Sequence, residues 1–529
     1  MKKIHHIIEK SQRGFIRNWN SVARSKILKL KEIKLIAVLL FVVPVISSCD
    51  QWLDVIPEND QVADEYWQTK EDVEAVISAC YIEYRSTVPQ QIIWGELRGN
   101  SMWMSGTMST DLYYMYSWNI LPGNSNCKWG SWYKIINLSN MIIAYAPLVA
   151  DKDKSFSEAV MKSYVAEAHY LRGLAYFFLV RNFREVPLIL EPYMNDDQEY
   201  EIPKAEEQVI WDQIIADLLI AEEGTKSFFS EPNEWASKGR ATKWAVKATL
   251  ADVYLWTKNY EEAIIKCNEV INSGQVGLIS GTVNENENNW FNIFAQGNTN
   301  EGIFELQWNY NLGQSNTSLF NLFGGSSFYY QISQNLYERF AFSTGDIRAL
   351  NATYTLPDLR LWKYIGSSAG SNFVSTEMGF TRTDQEKDQN WIMYRIAEVY
   401  LMKAEALVMR GDFTTATDIV NKIRARANVT NMAEPLPTQM EMIDLVLNEK
   451  AMELAAEGKR WYDLLRVSRI DDEYLTYMID EVLTNASPNS ALIIQSKLKD
   501  RNCHYLPIYI DEMNNNKALV QNPFYENLN

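Results

Sequence analysis

The feature that most constrains the fold of this chain is a helix-pair pattern that occurs twice. In residues 239–272, and again in 394–427, small residues recur at three- and four-residue steps, a polar break follows, and an aromatic residue opens a second amphipathic segment. An offset of 153 residues aligns three pairs of positions: Ala251 with Ala404, Tyr260 with Phe413 and Ala263 with Ala416. Because these steps match the helical period, each stretch predicts a hairpin of two helices.

Small residues in the first helix and an aromatic after the turn are typical of tetratricopeptide repeats. One such pair cannot bury its apolar face alone, so pairs stack. Similar periodicity occurs at 129–148, 158–184, 206–221 and 440–467. The sequence therefore predicts a mainly α fold, a tetratricopeptide-like array of about four helix pairs, with few short strands.

The rest of the chain is richer in Gly, Asn, Ser and aromatic residues and has weak periodicity, which is typical of loops. Long irregular segments in a compact protein usually carry function. We therefore expect the helical scaffold mainly in 126–273 and 391–470. The loop-rich ligand-binding half is expected mainly in 89–126, 274–390 and the C-terminal region.

The N-terminus has the composition of an export signal. Residues 1–34 carry a net charge of +8, an apolar run extends from Leu35 to Ile46, and Ser-Ser-Cys49 follows. The run is too short to span a bilayer but fits the core of a signal peptide. Small residues directly before a cysteine resemble the bacterial lipobox, so we expect 1–48 to be removed and Cys49 to be lipidated. The alternative is an ordinary signal peptide with a chance cysteine at its cleavage site.

Net charge and the absence of several catalytic motifs exclude some classes of function. The formal net charge is −17, and it becomes −25 once residues 1–49 are left out. Such a surface repels nucleic-acid phosphates and disfavours anionic ligands. Five cysteines contain no C-x-x-C pair, and no HExxH, GxSxG or phosphate-binding loop occurs. We therefore expect no metal site, no cofactor and no enzymatic activity.

A few polar residues still allow catalytic or binding interpretations. His169 lies in an apolar helix and is expected to be a packed histidine. Glu285 and Glu287 predict a solvated loop rather than a calcium or catalytic site. Four charged residues at three-residue spacing are predicted to share one helical face, and they favour a structural ion-pair lattice over a ligand clamp: Glu457, Arg460, Asp463 and Arg466. Abundant acids keep an all-helical glycoside hydrolase as an alternative.

Six segments carry, in order, motifs of one known family. They are residues 53–57 (Leu-Asp-x-x-Pro, soon after Cys49), 171–188 (Leu-Arg-x-x-x-Tyr-Phe to Val-Pro-Leu), 395–406, 457–464 (Glu-Gly-x-Arg-Trp-x-Asp-Leu), 506–508 and 521–523. Together they resemble the SusD/RagB family of Bacteroidetes surface lipoproteins over essentially the whole chain after Cys49. Tyr509 and Phe524 depart from the family's proline and glycine, which affects only local turn geometry.

The resemblance implies a four-repeat scaffold that carries a loop-rich ligand-binding half. It also implies a lipid anchor at Cys49 on the outer-membrane surface of the cell. The implied partner is a SusC-like TonB-dependent transporter, which the lipoprotein caps like a lid. The usual ligands of the family are glycans, and some members take peptides.

Exposed aromatic rings in the loops are the best candidates for sugar contacts, because a flat ring covers the apolar face of a sugar while polar groups satisfy its rim. The candidate ligand-binding residues are Arg98, Asn100 and Trp103, followed by Tyr310 and Tyr329. The competing interpretation is that these rings belong to the core.

The predicted function is capture of an oligosaccharide at the cell surface and its delivery to a SusC-like transporter. A peptide-binding, RagB-like uptake protein is the alternative. In a pure tetratricopeptide scaffold, the ligand would lie in the helical groove rather than against the loop aromatics.

Overall fold

The computed structural model describes most of the chain after the N-terminal segment. The described ranges are 66–194, 198–231, 234–281, 288–324, 328–368 and 379–526, without the side chains of residues 328 and 329. The predicted leader, Cys49, Glu285 and Glu287 lie outside them. Within these ranges, no helix is both long enough and apolar enough to cross a membrane.

Helices dominate the described structure, as predicted. In chain order they are α1 (Lys70–Ser86), α2 (Val88–Glu96), α3 (Thr110–Tyr116), α4 (Gly130–Lys152), α5 (Glu158–Phe183), α6 (Glu207–Gly224), α7 (Trp235–Gly239), α8 (Lys243–Trp256), α9 (Tyr260–Ile271), α10 (Asn289–Gln296), α11 (Thr317–Phe323), α12 (Gln334–Phe342), α13 (Ile396–Met409), α14 (Phe413–Arg426), α15 (Gln439–Glu453), α16 (Arg460–Ser468), α17 (Asp472–Leu483), α18 (Pro488–Leu498) and α19 (Ile510–Asn515).

Short antiparallel strands fall between these helices. They are β1 (Met102–Gly106), β2 (Gly302–Leu306), β3 (Phe328–Ile332), β4 (Tyr354–Thr355), β5 (Arg360–Leu361) and β6 (Trp391–Arg395). One sheet has the order β1-β3-β5-β4, and β2 pairs with β6. In the first sheet Trp103 lies opposite Gln331. The second, wholly buried pair leads directly into α13.

The long helices form a continuous stack in which α1 packs on α4, α4 on α5, α5 on α6, α6 on α8, α8 on α9, α9 on α13, and α13 on both α14 and α15. The two copies predicted from the sequence are the pairs α8/α9 and α13/α14. The aligned alanines of both copies are fully buried, which lets the helices approach closely. The predicted tetratricopeptide-like fold is therefore confirmed.

The turn inside each copy has the same backbone conformation. Gly411 links α13 to α14 with φ +85°, and Lys258, which is 153 residues earlier, links α8 to α9 with φ +61°. Glycine adopts this left-handed conformation at little cost, whereas a lysine is strained there. Asp412 then caps α14 by accepting a hydrogen bond from the Thr415 amide at 3.1 Å.

The stretch 440–467 is divided between α15 and α16. Ala456 and Gly458 have φ values of +62° and +73°, so the chain turns sharply between the two helices. The turn docks on α2, because the Gly458 amide donates to Glu96 Oε1 at 2.8 Å. Gly95 permits this approach, since a Cβ there would lie 2.0 Å from the Gly458 carbonyl oxygen.

The interior beside this turn holds a network of buried ion pairs. Arg395 contacts Glu301 at 2.9 Å, Glu453 at 2.5 Å and Glu457 at 2.8 Å, and all four side chains are almost fully buried. Lys363 adds a 2.6 Å contact to Glu457. The network joins β6, the segment before β2, α15 and the turn, so residues distant in sequence hold one another in place.

The charged motif of 457–466 belongs to the same interior. Arg460 contacts Glu481 at 2.5 Å, Asp463 contacts Lys450 at 3.0 Å, and Arg466 contacts Glu405 at 2.6 Å. The four motif residues, including Glu457, are buried, so the lattice interpretation is confirmed over the ligand clamp. Glu457 precedes α16 and therefore does not share a helical face with the other three.

Candidate functional site

A groove of about 510 Å³ opens between α1, α7 and the segment that follows β2. Its lining residues are Glu74, Ile77, Ser78, Tyr81, Ile82, Arg85, Trp235, Gly239, Arg240, Asn298, Leu306, Gln307, Trp308, Asn309, Leu312 and Gln314. Its volume falls in the range of small-molecule binding sites.

Helical spacing explains how α1 contributes one wall. Glu74, Ile77, Tyr81 and Arg85 follow one another at three- and four-residue steps, so they share a face. The start of the helix is held by a capping box, in which Thr69 accepts from the Asp72 amide and Asp72 accepts from the Thr69 amide. The wall is thus built on a rigid element.

Two tryptophans supply the flat surfaces of the groove. Trp235 begins α7 and is 67% exposed, while Trp308 follows β2 and is partly exposed. Gln307 joins their segments, because its Nε2 donates to the Trp235 carbonyl at 2.7 Å and to Asn298 Oδ1 at 2.7 Å. Gly239 makes room for this amide, since a Cβ there would lie 2.8 Å from Gln307 Nε2.

The polar groups of one wall are tightly paired. Arg240 Nη2 donates to Glu167 Oε2 at 2.6 Å, and its Nη1 lies 3.4 Å from Glu74 Oε1. Although burial acts to lower the pKa of Arg240, the buried Glu167 carboxylate holds it above its usual value. Tyr81 donates its hydroxyl proton to Glu167 at 2.5 Å, and burial raises the pKa of Tyr81 well above its usual value. At neutral pH this wall presents a neutral phenol and a compensated cation.

Arg85 is the second cation of the groove. Its Nη1 donates to the Gln307 carbonyl at 3.0 Å and to Gln314 Oε1 at 2.9 Å. Its guanidinium carbon lies 5.6 Å from the centroid of the Trp308 ring. The arginine therefore ties α1 to the segment after β2 and places a positive charge beside an aromatic surface.

Two of the predicted ligand residues lie in the interior. Arg98 is fully buried, donates to the His504 carbonyl at 2.8 Å and to Asn182 Oδ1 at 2.9 Å, and stacks 4.7 Å from the Trp461 ring centroid. Asn100 is also buried. It accepts from Arg460 Nε at 2.7 Å and donates to Glu481 Oε2 at 2.7 Å. Their predicted role as ligand contacts is therefore corrected, because internal partners occupy both side chains.

The three predicted aromatic contacts, Trp103, Tyr310 and Tyr329, are not buried like Arg98 and Asn100 where their side chains are described. Trp103 is 41% exposed on β1 and packs edge-on against Tyr116 at 5.5 Å. Tyr310 is 43% exposed and begins a short 3-10 helix. Asn309, which precedes this helix, and Leu312, which ends it, line the groove. Tyr329 lies in β3, and its side chain falls outside the described part. None of the four predicted residues whose side chains are described, Arg98, Asn100, Trp103 and Tyr310, is itself a lining residue of the groove.

The main groove residues are not among the candidates predicted from the sequence. Arg85 and Tyr81 lie on a helix, and Trp235 begins a five-residue helix in a polar segment. Trp308 lies two residues before the predicted Tyr310, and nothing local in the sequence shows that it is Trp308 that lines the groove. The available signal was the four-residue step from Ile77 through Tyr81 to Arg85, which puts a ring and a cation on the face of one helix.

Groups for metal or nucleophilic chemistry are sparse in the described ranges. No cluster of three or more His, Cys, Asp or Glu side chains is arranged to hold a metal there. His169 is packed as expected, with Nδ1 2.8 Å from Asp217 Oδ1. The described cysteines are buried free thiols: Cys80, Cys127, Cys267 and Cys503.

Family models match two parts of the chain. A model described as "SusD family" matches residues 362–525, and one described as "Starch-binding associating with outer membrane" matches 51–255. The first contains the Glu-Gly-x-Arg-Trp-x-Asp-Leu motif, and the second contains all the groove residues from Glu74 to Arg240.

Individual relatives extend the similarity over most of the chain. A SusD-like protein of Formosa agariphila is 25% identical over 486 residues, which is 83% of this chain and 92% of the relative. The starch-binding protein SusD of Bacteroides thetaiotaomicron is 31% identical over 135 residues, but these are only 25% of this chain and 21% of that protein.

Solved structures share the fold. A SusD superfamily protein from Bacteroides vulgatus superposes with a TM-score of 0.69 at 20% identity, covering 87% of this chain and 100% of that one. A laminarin-binding SusD-like protein gives 0.65 at 22% identity, covering 86% and 99%. With the family models at both ends and relatives across the length, the conclusion is that this chain belongs to the SusD/RagB family.

Proposed function

We propose that this protein captures an oligosaccharide at the outer-membrane surface without chemically changing it, and that the groove between α1 and α7 is its binding site. The observation that carries this proposal is the placement of Trp235 and Trp308 in one groove, held by Gln307. The family description and the laminarin-binding neighbour support a glycan ligand.

The chemistry of the groove suits a sugar. Ring faces of a hexose are apolar and pack on tryptophan, while hydroxyl groups need hydrogen-bond partners along the rim. The side-chain amides of Asn298 and Gln314 line the groove beside the two rings and can supply such partners. Each ring contributes roughly 0.5–1.5 kcal/mol beyond burial, so useful affinity requires both rings and the polar rim.

Replacing either groove tryptophan should weaken glycan binding without unfolding the protein. We expect Trp235→Ala and Trp308→Ala each to raise the Kd by about threefold to tenfold, which corresponds to the loss of one stacking partner. The measurement is calorimetric titration with the glycans retained from an array that includes maltoheptaose and laminariheptaose.

Trp103→Ala is the matched comparison, since Trp103 is also an exposed tryptophan but lies outside the groove. Its melting temperature and that of Trp235→Ala should stay within a few degrees of the parent. If Trp103→Ala weakens binding while both groove variants bind normally, the ligand lies at β1 and the groove assignment is wrong.

Among its described lining residues, the groove lacks the acid pair of a glycoside hydrolase. Such enzymes place two carboxyl groups about 5–9.5 Å apart across the bond that is cleaved. Among the lining residues the acidic one is Glu74, and it is engaged by Arg240 at 3.4 Å. We therefore propose a binding protein, and the release of shorter sugars during long incubation of the purified protein would contradict this.

We also propose that Cys49 carries the lipid anchor and that the captured glycan passes to a SusC-like TonB-dependent transporter. The lipobox-like Ser-Ser-Cys49 after the apolar run supports the anchor, and the outer-membrane association in the family description supports the location. The transporter partner rests on family membership.

Cys49→Ser should move the protein out of the membrane fraction. Acyl chains attached through the Cys49 thiol contribute about 0.8 kcal/mol of membrane-binding free energy per buried methylene. A serine at this position cannot carry them through a thioether. Fractionation of cells with labelled palmitate measures both location and acylation. Equal labelling of the variant and the parent would place the anchor at another residue.

A further inference from the structure

Arg85 brings into the groove a positive charge that no acid in the described ranges neutralises. Its Nη1 bonds go to two neutral oxygens, the Gln307 carbonyl and Gln314 Oε1. The acids of the same helix nearest to the groove are engaged elsewhere, since Glu83 pairs with Lys134 at 2.7 Å and Glu74 lies 3.4 Å from Arg240. Arg85 therefore differs from Arg240, whose charge is compensated by Glu167.

The geometry of the guanidinium shows which part of Arg85 is available. Both hydrogens of Nη1 are used by Gln307 and Gln314, whereas no acceptor among the described residues contacts Nε or Nη2. The Nε–Nη2 edge offers two parallel N–H groups, the arrangement that binds a carboxylate or sulfate with two hydrogen bonds. Burial also lowers the pKa of Arg85, as expected for a cation that loses water without gaining an acid.

We infer that the groove accepts an acidic oligosaccharide, whose carboxylate or sulfate is bound by the Nε–Nη2 edge of Arg85 while a sugar ring lies on Trp308. The guanidinium carbon of Arg85 lies 5.6 Å from the centroid of the Trp308 ring, so an acid group bound by Arg85 would lie close to a sugar ring on that indole. This inference rests on the proposed glycan-binding function and names the ligand class of the same site.

The overall negative charge of the protein acts in the opposite direction but over a longer range. The sequence predicted that a surface of this charge disfavours anions. At physiological salt the electrostatic screening length is about 8 Å, so most of the negative charges on the protein surface act weakly inside the groove. Arg85, in contrast, would contact the bound acid group directly. Repulsion then slows association, while the local ion pair governs how firmly the acid is held.

Calorimetric titration with matched hexamers tests the inference. The acidic probes are galacturonate and alginate hexamers for a carboxylate and a κ-carrageenan hexamer for a sulfate; the neutral probes are methyl-esterified galacturonate, maltohexaose and laminarihexaose. We expect at least one acidic hexamer to bind tenfold or more tightly than every neutral one. Whether it is a uronate or the sulfated probe identifies the anion.

Variants separate the charge from the structural role of Arg85. Arg85→Gln should bring the acidic hexamer to the affinity of the neutral probes, whereas Arg85→Lys should keep part of the preference. Gln314→Ala removes a partner of Nη1 and a groove amide but leaves the charge, so it should weaken acidic and neutral hexamers alike and keep the preference between them. Arg410→Gln makes the same change in net charge at an exposed pair with Glu261 and should change nothing.

The outcomes distinguish the inference from the proposed function. If neutral hexamers bind as tightly as the acidic ones, or if Arg85→Gln keeps the preference, the acidic ligand is wrong while glycan binding stands. If no hexamer binds, the glycan function and the inference fail together. Binding of a hexaglutamate peptide in place of any glycan would overturn both and favour peptide uptake.

Discussion

Arg395→Met should lower the free energy of unfolding by about 3–5 kcal/mol, because it removes a buried cation that three buried carboxylates share. Arg395 contacts Glu301, Glu453 and Glu457, and its removal leaves Glu457 with Lys363 as its remaining basic partner. Burial alone would lower the pKa of Arg395, but these acids hold it well above its usual value, so the arginine is charged in the folded state. Urea unfolding followed by circular dichroism measures the change.

A surface ion pair provides the matched control for Arg395. Arg410 and Glu261 lie 3.1 Å apart, with side chains 57% and 71% exposed. Removing such a pair costs about 0–1 kcal/mol, because water and salt already screen it. If Arg395→Met and Arg410→Met destabilise the protein equally, the buried network does not hold the helices together as described.

Acidification from pH 6.5 to pH 4 should destabilise the protein through His504, by about 3 kcal/mol from this residue. Burial, together with nearby Arg501 and Arg98, lowers the pKa of His504 from 6.5 to about 4, although its hydrogen bond to the Leu498 carbonyl at 2.8 Å opposes the shift. Between these two pH values the unfolded chain binds the proton and the folded protein does not. Stability therefore falls as the pH falls through this window.

Other groups titrate in the same pH range. The contribution of His504 to the pH dependence of stability is therefore measured as the difference between the parent and a variant without this histidine. Burial raises the pKa of Glu96 to about 8, so Glu96 makes a contribution of opposite sign that is lost as the pH rises. His504→Gln keeps a neutral donor for the Leu498 carbonyl but does not titrate. The stability of this variant should change less than that of the parent between pH 6.5 and 4. Parallel curves for the two proteins would show that His504 is not the buried neutral group described here.

Local pattern was enough to predict the scaffold. The helices of both repeat copies are predicted from small residues that recur every three or four positions. Two of these residues, Ala251 and Ala404, are buried as the pattern requires. The turn residues Lys258 and Gly411 also follow from the repeat. Such features depend on neighbours within one or two helical turns, so a single sequence contains them.

Ligand contacts are harder to predict, because the local sequence does not show whether an aromatic or polar residue in a loop is exposed or buried. Arg98 and Asn100 stand beside Trp103 in a Gly-rich segment, yet they meet His504 and Arg460, which lie more than 350 residues away in sequence. No local feature separates these buried residues from Trp103, which is exposed.

By itself, the sequence determined the helix pairs, their stacking as repeats and the family, because these depend on periodicity and on motifs read in order. The tertiary structure alone decided which rings and charges face solvent together. Arg85, Trp235 and Trp308 come from three separate segments and meet in one groove. The physical reason is that burial and ion pairing depend on partners brought close by the packing of distant helices, and no periodicity in the chain specifies those partners.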